Sequence, residues 1–519
     1  MWADHSSGCR SDRDARSREF GRTFSGLVGM RDGSPQVVKQ RQVRAGSCAQ
    51  NRLEKFSAFL EAERVKKKTG AQAFADFEQK LEERMAELRR DIIAEEMARL
   101  DVDAEAVLID GKTHRRVLRQ SQTYMTSAGE VVVERTLYKD RSDDEGRCVS
   151  PMELTVGVVG GFWTPRAAQQ ALWVVTQMTP KKAEELFERV GNMDPSKSSL
   201  DRLPKVISKI WEGDRMKFEE ALRDGLQIPD GAVSIAVSID GVYAPMEDFD
   251  VMRRREEAAE EGRMTKGPLG YREVGCATIS FCNSTGDLLG AIRLARAPEY
   301  KKKTLKESVA AEVGAILRAR PELRLLKLAD AVVDNWTFLA DQLPPGEELI
   351  DFFHAGEHIH EAIASVYGDA TLETQFRSHK LRENLRDDVK GVDKVVRAMK
   401  HLATKHPQNR LVRRALIYFR TNRARMRYAE LKAQGFPIGS GVVEAACKTL
   451  VTQRLKLSGM RWSTTGAQAV LTPRGWDQSE RFDEAWAIVA ATFQAEVTVL
   501  ANVTVLRPTP RKRSAGASR

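Results

Sequence analysis

The sequence predicts an α/β protein: a core built on a central sheet, carrying an all-helical insertion and preceded by a mostly helical region. Three observations carry that expectation. From Val233 the chain changes from helix-like spacing of apolar residues to strand-like segments, separated by a Ser284-Thr285-Gly286 turn and by single helices. Between His354 and Lys432 the helical spacing returns and no strand-like run interrupts it. Two of the strand-like runs end in an aspartate, Asp240 and Asp334, and a carboxylate at the end of a buried strand is costly unless it faces water, a hydrogen bond or a cation.

The chain has 519 residues, 42% hydrophobic and 30% charged. A prior of roughly 100–200 residues per domain implies several domains, and the apolar content suits packed cores better than a disordered polymer. A formal net charge of +10 favours a polyanionic partner without choosing among nucleic acid, ribosome and membrane surface. No run approaches the ~18 apolar residues that span a bilayer, and the N-terminus, with Asp4, Arg10, Asp12 and Arg13, has no apolar signal core. A soluble cytoplasmic protein, nucleoid-associated if DNA is its partner, is expected. The cysteines, Cys9, Cys48, Cys148, Cys276, Cys282 and Cys447, form no C-x-x-C pair, which predicts reduced structural thiols.

In order along the chain, residues 1–50 are rich in Arg, Ser and Gly and are expected to form a disordered basic arm. Residues 51–105 form an amphipathic helical segment: Phe74, Phe77, Leu81, Met85, Leu88 and Ile92 recur in steps of three and four. Such a helix packs on its own domain or pairs between protomers. Residues 106–230 combine a hairpin, turning at Ser127-Ala128-Gly129, with helices opened by Thr164-Pro165, Thr179-Pro180 and Ser196. Their spacing fits a helix-turn-helix and, equally, a plain helical bundle. Residues 231–354 are the first part of the core, 355–436 the helical insertion, 437–500 the last part of the core, and 501–519 a basic, Pro-containing tail expected to be disordered.

Within the core, strands are predicted over 233–240, 273–283, 287–295, 325–334 and 348–353, with helices over 305–320 and 337–342. Three strands in hairpin order, then helix, strand, helix, strand is the order of a ribonuclease-H-like sheet. Asp240 and Asp334 at neighbouring strand ends would put like charges close together, which raises a pKa or recruits a hard metal. Glu444 falls in the first turn of the helix that follows the Gly439-Ser440-Gly441 lead, where a lone acid has the plain role of facing the helix dipole. Lys448, Arg454, Lys456, Arg461 and Trp462 follow it, and acid surrounded by base suits a metal centre whose substrate is a phosphate chain. Three carboxylates can hold two Mg²⁺ ions ~3.5–4 Å apart, Mn²⁺ substituting, for an in-line displacement at phosphorus. From His401 to Lys432 the bases Lys405, Arg410, Arg413, Arg414, Arg420, Arg423, Arg425, Arg427 and Lys432 outnumber the single acid Glu430 and interleave with Tyr418, Phe419 and Tyr428. A solvated face is the plain reading; phosphate contact by Arg413, Arg414, Arg423 and Arg425 is the functional one. His354-Ala355-Gly356-Glu357-His358 is a literal H-x-x-E-H, the pattern of inverted zinc peptidases, although its Gly sits inside the would-be zinc helix. Asp351 and His354 otherwise close the last core strand, beside the catalytic carboxylates.

Several blocks together resemble the ISKra-type insertion-sequence transposases, a DDE family. They are Ser238-Ile239-Asp240-Gly241, Arg272 to Thr278, Val332-Val333-Asp334-Asn335-Trp336, Asp351-Phe352-Phe353-His354, and above all Gly439 to Lys448 continuing through Arg454-Leu455-Lys456 to Arg461-Trp462. The resemblance covers about residues 100–490. It implies an acid triad of Asp240, Asp334 and Glu444 binding magnesium, an accessory Asp351-x-x-His354 motif, inverted-repeat recognition ahead of Val233, and a homo-oligomer that pairs two double-stranded DNA ends and joins 3′-hydroxyls to target DNA. A small-molecule substrate is not expected. A catalytically inactive repressor and a host nuclease on the same fold are the rival readings. The sequence departs from the family at Thr472-Pro473-Arg474-Gly475-Trp476, where Pro and Gly are expected to break the helix.

Overall fold

The computed structural model describes residues 48–140, 146–191, 193–247, 258–262 and 270–500, all within one compact unit. The expected basic arm before Cys48 and the tail after Leu500 lie outside the described residues.

Helices α1 (Cys48–Arg64) and α2 (Ala71–Arg99) form an antiparallel hairpin, joined where Arg52 reaches Asp91 at 2.8 Å and Glu87 at 3.1 Å. The α2 pattern is used within the chain: Leu88 and Met97 are buried, and Met97 packs with Tyr124, Val131 and Val133. Phe74 and Ile92 stay half exposed. Strands β1 (Ala106–Ile109), β2 (Lys112–Thr126) and β3 (Gly129–Asp140) form the expected hairpin and one strand more. Gly129 takes φ 105° at the tight turn, a region open to glycine.

Next come α3 (Pro151–Val156), α4 (Pro165–Gln177), α5 (Pro180–Val190), α6 (Lys197–Gly213) and α7 (Arg215–Asp224). Thr179 and Ser196 cap α5 and α6 by accepting from Lys182 N and Ser199 N, as the sequence signals.

The central sheet comprises β4 (Ser234–Pro245), β5 (Tyr271–Cys282), β6 (Leu288–Arg296), β7 (Arg324–Ala329) and β8 (Glu347–Ile350), in the order β6-β5-β4-β7-β8. β4 is antiparallel to β5 and parallel to β7, so the sheet is mixed. β5 is buried without alternation from Val274 to Cys282, because helices cover both faces of a sheet centre. Helix α8 (Lys303–Ala319) crosses from β6 to β7, and α9 (Val333–Asp341) from β7 to β8.

The insertion comprises α10 (Phe352–Tyr367), α11 (Leu372–Asp387), α12 (Gly391–Lys405), α13 (Arg410–Thr421) and α14 (Tyr428–Ala433). It is no separate lobe: Ile359, Val395, Met399, Val412 and Phe419 share one buried cluster with Ile235, Leu326 and Leu349 of the sheet.

After the insertion, α15 (Gly441–Ala446) passes through a π turn, Cys447–Thr452, into Gln453–Leu455. Two expectations then fail. First, the segment containing Pro473 and Gly475 is an unbroken helix, α16 (Thr464–Gln478). It is buried continuously from Ala467 to Trp476, so packing outweighs the missing amide of Pro473; Gly475 lets the backbone approach Arg293 O, which a Cβ would meet at 3.2 Å. Second, the closing segment is not simply the end of the core. Trp476, with Phe482 and Trp486 of α17 (Phe482–Ala491), packs into the cluster of α4, α6 and α7, where Trp476 meets Trp211 at 4.6 Å. The last strand, β9 (Val497–Val499), pairs with β1 to complete the sheet β3-β2-β1-β9.

Candidate active site

Asp240 lies within β4, whose strand continues to Pro245 rather than ending at the aspartate. What ends nearby is its pairing: β7 follows β4 only from Ser234 to Ser238, and beyond that the two strands part. In register, Asp240 faces Cys276 on β5, which faces Ala295 on β6. The opening between β4 and β7 therefore lies at the carboxyl end of the sheet, where parallel strands leave room for a ligand.

The second aspartate at that opening is Asp330 and not Asp334. β7 stops at Ala329, and the Asp330 carboxylate accepts Val332 N at 3.3 Å and Asn335 Nδ2 at 3.2 Å. Its carbonyl takes Trp336 Nε1 at 2.5 Å. This local turn ends the strand and starts α9, as Asp side chains do. Ala331, Val332 and Val333 continue the apolar pattern beyond the strand, and Val333 is 78% exposed. Asp334 is in the first turn of α9 and ion-pairs with the buried Lys306 at 2.6 Å.

A cavity of about 340 Å³ is lined by Asp240, Asp330, Phe353, His354, Glu357, Arg382, Ser440 and Glu444. Acids from β4, the end of β7 and α15 converge on it. Burial holds the Asp240 carboxyl above its usual range, and the charge of Asp330 adds to this, against the opposing hydrogen bond from Gly241, the charge of Lys302 and the Cys447 contact. Gly241 N donates to Asp240 Oδ1 at 2.7 Å and Cys447 Sγ to Oδ2 at 3.7 Å. The hydrogen bond with Cys276, followed by burial, pushes the Cys447 thiol far up, so it is present as a donor. Lys302 is engaged by Glu273 at 2.8 Å.

Asp351 is 1% exposed and works as a joint. One oxygen caps α10 by accepting His354 N at 2.7 Å; the other accepts Ser440 N, in the loop that leads to Glu444. Ser440 Oγ in turn donates to Glu444 Oε1 at 3.3 Å. His354 lines the cavity and contacts Glu357 at 3.0 Å through Nδ1. Burial works against its protonation but is outweighed by Glu357, Asp330 and Asp351, which leave it above the ordinary imidazole value. His358 packs at a tilt against Tyr418, ring centres 4.0 Å apart, away from this cavity lining, and burial lowers its pKa. The two histidines of H-x-x-E-H are thus already engaged by side chains of their own fold.

The remaining predicted residues divide. Lys448, Lys456 and Arg461 are exposed on and after the π-turned helix. Arg454 is not: it is 3% exposed, stands over the Trp462 ring at 5.3 Å, and is pushed down to about 10 by burial and by Arg474. Trp462 donates Nε1 to Leu455 O at 3.0 Å, so the ring braces this segment. In the insertion, Arg414 pairs with Glu361 at 2.5 Å, Arg423 with Asp393 at 2.8 Å, and Arg425 with Glu348 at 2.6 Å while stacking on Trp336 at 4.2 Å. Arg413 is exposed.

Among the described residues no group of three His, Cys, Asp or Glu side chains stands close enough together to hold a metal ion. The donor set nevertheless fits a hard cation. Asp240 and Asp330 offer carboxylate oxygens close enough together for the charge of one to raise the pKa of the other, and Mg²⁺ is commonly held by one or two carboxylates together with substrate phosphates. Sequence reasoning missed Asp330 and Arg382 and read Glu357 only as part of the H-x-x-E-H string. Asp330 carried a signal, being an Asp directly after an apolar run of strand length; Arg382, in the insertion, carried none.

No protein-family model matches the chain, and no curated protein matches it. Among the described residues, no helix is long and apolar enough to cross a membrane.

Proposed function

We propose that the protein is a DNA transposase of the DDE kind, with Asp240, Asp330 and Glu444 as its acid triad in a ribonuclease-H-like core. The observation that carries this reading is the convergence of three acids, from segments far apart in sequence, on one polar cleft at the splayed end of β4 and β7. The sheet order β6-β5-β4-β7-β8, with the second strand antiparallel, supports the fold assignment. The sequence blocks around Asp240, Asp351 and Glu444 supply the word transposase; the carboxylates alone support a metal-dependent nuclease.

Asp240 and Asp330 would hold the metal from the sheet, and Glu444 from the helix opposite. When bound, two Mg²⁺ ions activate the attacking oxygen and stabilise the leaving oxygen. The chain's own groups orient that site: Gly241 N and Cys447 Sγ fix the two Asp240 oxygens, and Asp351 holds the Ser440 loop that presents Glu444. The partners proposed are double-stranded transposon ends, target DNA and a second copy of the chain.

The test incubates the full chain with labelled transposon-end duplex and Mg²⁺ or Mn²⁺, scoring strand cleavage and joining. Asp240→Ala, Asp330→Ala and Glu444→Ala are expected to abolish both while leaving end binding, and Asp334→Ala is expected to cut. Cleavage by Asp330→Ala and not by Asp334→Ala would return the second metal ligand to Asp334.

A further inference from the structure

One cation stands among the acids of the cleft without an ion pair. Arg382, on α11 of the insertion, lines the same cavity as Asp240, Asp330, Glu357 and Glu444. Its Nε is buried with no hydrogen-bond partner. Arg135, Arg223, Arg293 and Arg454 also bury guanidinium nitrogens without a hydrogen-bond partner, so what sets Arg382 apart is its place in the acid-lined cavity, where an unmet charged donor is costly until a ligand meets it. The fold also makes room for it: Gly356 sits in mid-helix in α10, where glycine is the poorer helix former by roughly 1 kcal/mol. A Cβ at that position would lie 2.5 Å from Arg382 Nε, 2.7 Å from Nη2 and 3.0 Å from Cζ. The guanidinium therefore lies close against the α10 backbone at the cleft wall, and a side chain at position 356 would have to displace it.

We infer that Arg382 is an anion site for the scissile phosphodiester, its guanidinium taking the non-bridging oxygens beside Asp240, Asp330 and Glu444, which would hold the metal. This rests on the catalytic reading above. A planar fork of donors matches two phosphate oxygens, and an arginine facing a phosphoryl group stabilises charge that grows in the transition state. No bond to Arg382 forms or breaks, and its proton stays in place. The insertion thereby becomes part of the active site and not only a DNA-binding appendage. Gly356, within the H-x-x-E-H string, acquires a reason: it is the floor under the guanidinium.

Two measurements test this on the full chain. In cleavage of the end duplex, Arg382→Ala is expected to lower kcat about a hundredfold or more with KM changed far less, and Arg382→Lys to recover only part of it, because an ammonium lacks the fork. Gly356→Ala, normally stabilising in a helix, is expected to lower kcat by displacing the guanidinium, and the double variant Gly356→Ala/Arg382→Ala to be no slower than Arg382→Ala alone. Separately, without metal, inorganic phosphate is expected to raise Tm of the wild type and not of Arg382→Ala. Equal phosphate shifts in both proteins, or additive losses in the double variant, overturn the inference. If the wild type cuts no DNA yet its phosphate shift depends on Arg382, the catalytic reading fails and the anion site stands.

Discussion

Two highly charged regions of this molecule use charge in opposite ways. In the insertion, α13 and the segment after it concentrate arginine, yet Arg414, Arg423, Arg425, Arg427 and Lys432 are each matched by an acid on α10, α11, α12 or β8. In the cleft, Asp240, Asp330 and Glu444 face one another across a cavity, and the arginine among them has no ion pair. A run of bases in a sequence thus says nothing of whether the charge is free, since acids far away in the chain can pair with it. A buried carboxylate left without a base, such as Asp240, by contrast carries a desolvation cost, which marks its surroundings as a candidate binding site.

The sharpest way to break that contrast is to exchange the two aspartates beyond β7. On the proposed function, Asp330→Ala is expected to reduce strand cleavage at least about a thousandfold, the effect of losing a metal ligand. Asp334→Ala should leave cleavage within about tenfold and instead lower stability by about 1–3 kcal/mol in urea unfolding, because the buried Lys306 loses its partner. Next in size is Asp351→Ala, which removes the α10 cap and the hold on Ser440 together. A loss of about 2–4 kcal/mol is expected, with cleavage falling as the Glu444 loop loosens.

A smaller effect separates paired from free bases. Arg425→Ala should lower Tm, since it removes both the Glu348 pair and the Trp336 stack, and leave the salt dependence of DNA binding unchanged. Arg413→Ala should do the reverse, reducing the slope of log K against log salt by about 0.9 if the arginine meets a duplex phosphate. The smallest expected effect is on pH. The Asp240 pKa is raised in the folded state by burial and by Asp330, so the native protein binds this proton more tightly than the unfolded chain. Ionisation therefore costs stability as pH rises above the ordinary value of 3.8, and none of this cost is present well below it. Asp240→Asn should raise Tm at neutral pH, with the gain vanishing on acidification. On the proposed function Mg²⁺ is expected to raise Tm of the wild type, and Asp240→Asn to abolish that increase.

Much of this architecture was legible because periodicity and caps are local. The β2–β3 hairpin, the Pro-opened helices α4 and α5 and the starts of strands β4 to β8 all fall within a few residues of where apolar spacing puts them, while β4 runs five residues longer and β7 stops five residues sooner. Glu444 and Asp351 stand at helix starts, as their sequence places suggest, whereas Asp240, expected at a strand end, lies inside β4. The rest depended on information that is not local. Apolar spacing ran straight through Ala331, Val332 and Val333, whereas a side-chain turn at Asp330 decides where β7 stops. Pro473 looked like a breaker because its cost is read locally, while the packing that outweighs it comes from helices nearly three hundred residues earlier. Arg454 looked like a phosphate ligand from its neighbours in sequence and is enclosed by its neighbours in space.

The pairing of Val107 with Val499 has a consequence for how the molecule is made. The nascent chain delivers β1, β2 and α4 to α7 early, yet the strand that completes their sheet and the tryptophans that fill their core, Trp476 and Trp486, leave the ribosome last. At about 5–20 residues per second, the early half waits on the order of tens of seconds for its closing pieces. During that wait the apolar faces of α4 and α6 have no cover. A chain truncated before α16 would keep every residue of the carboxylate cleft and still lack a finished N-terminal half.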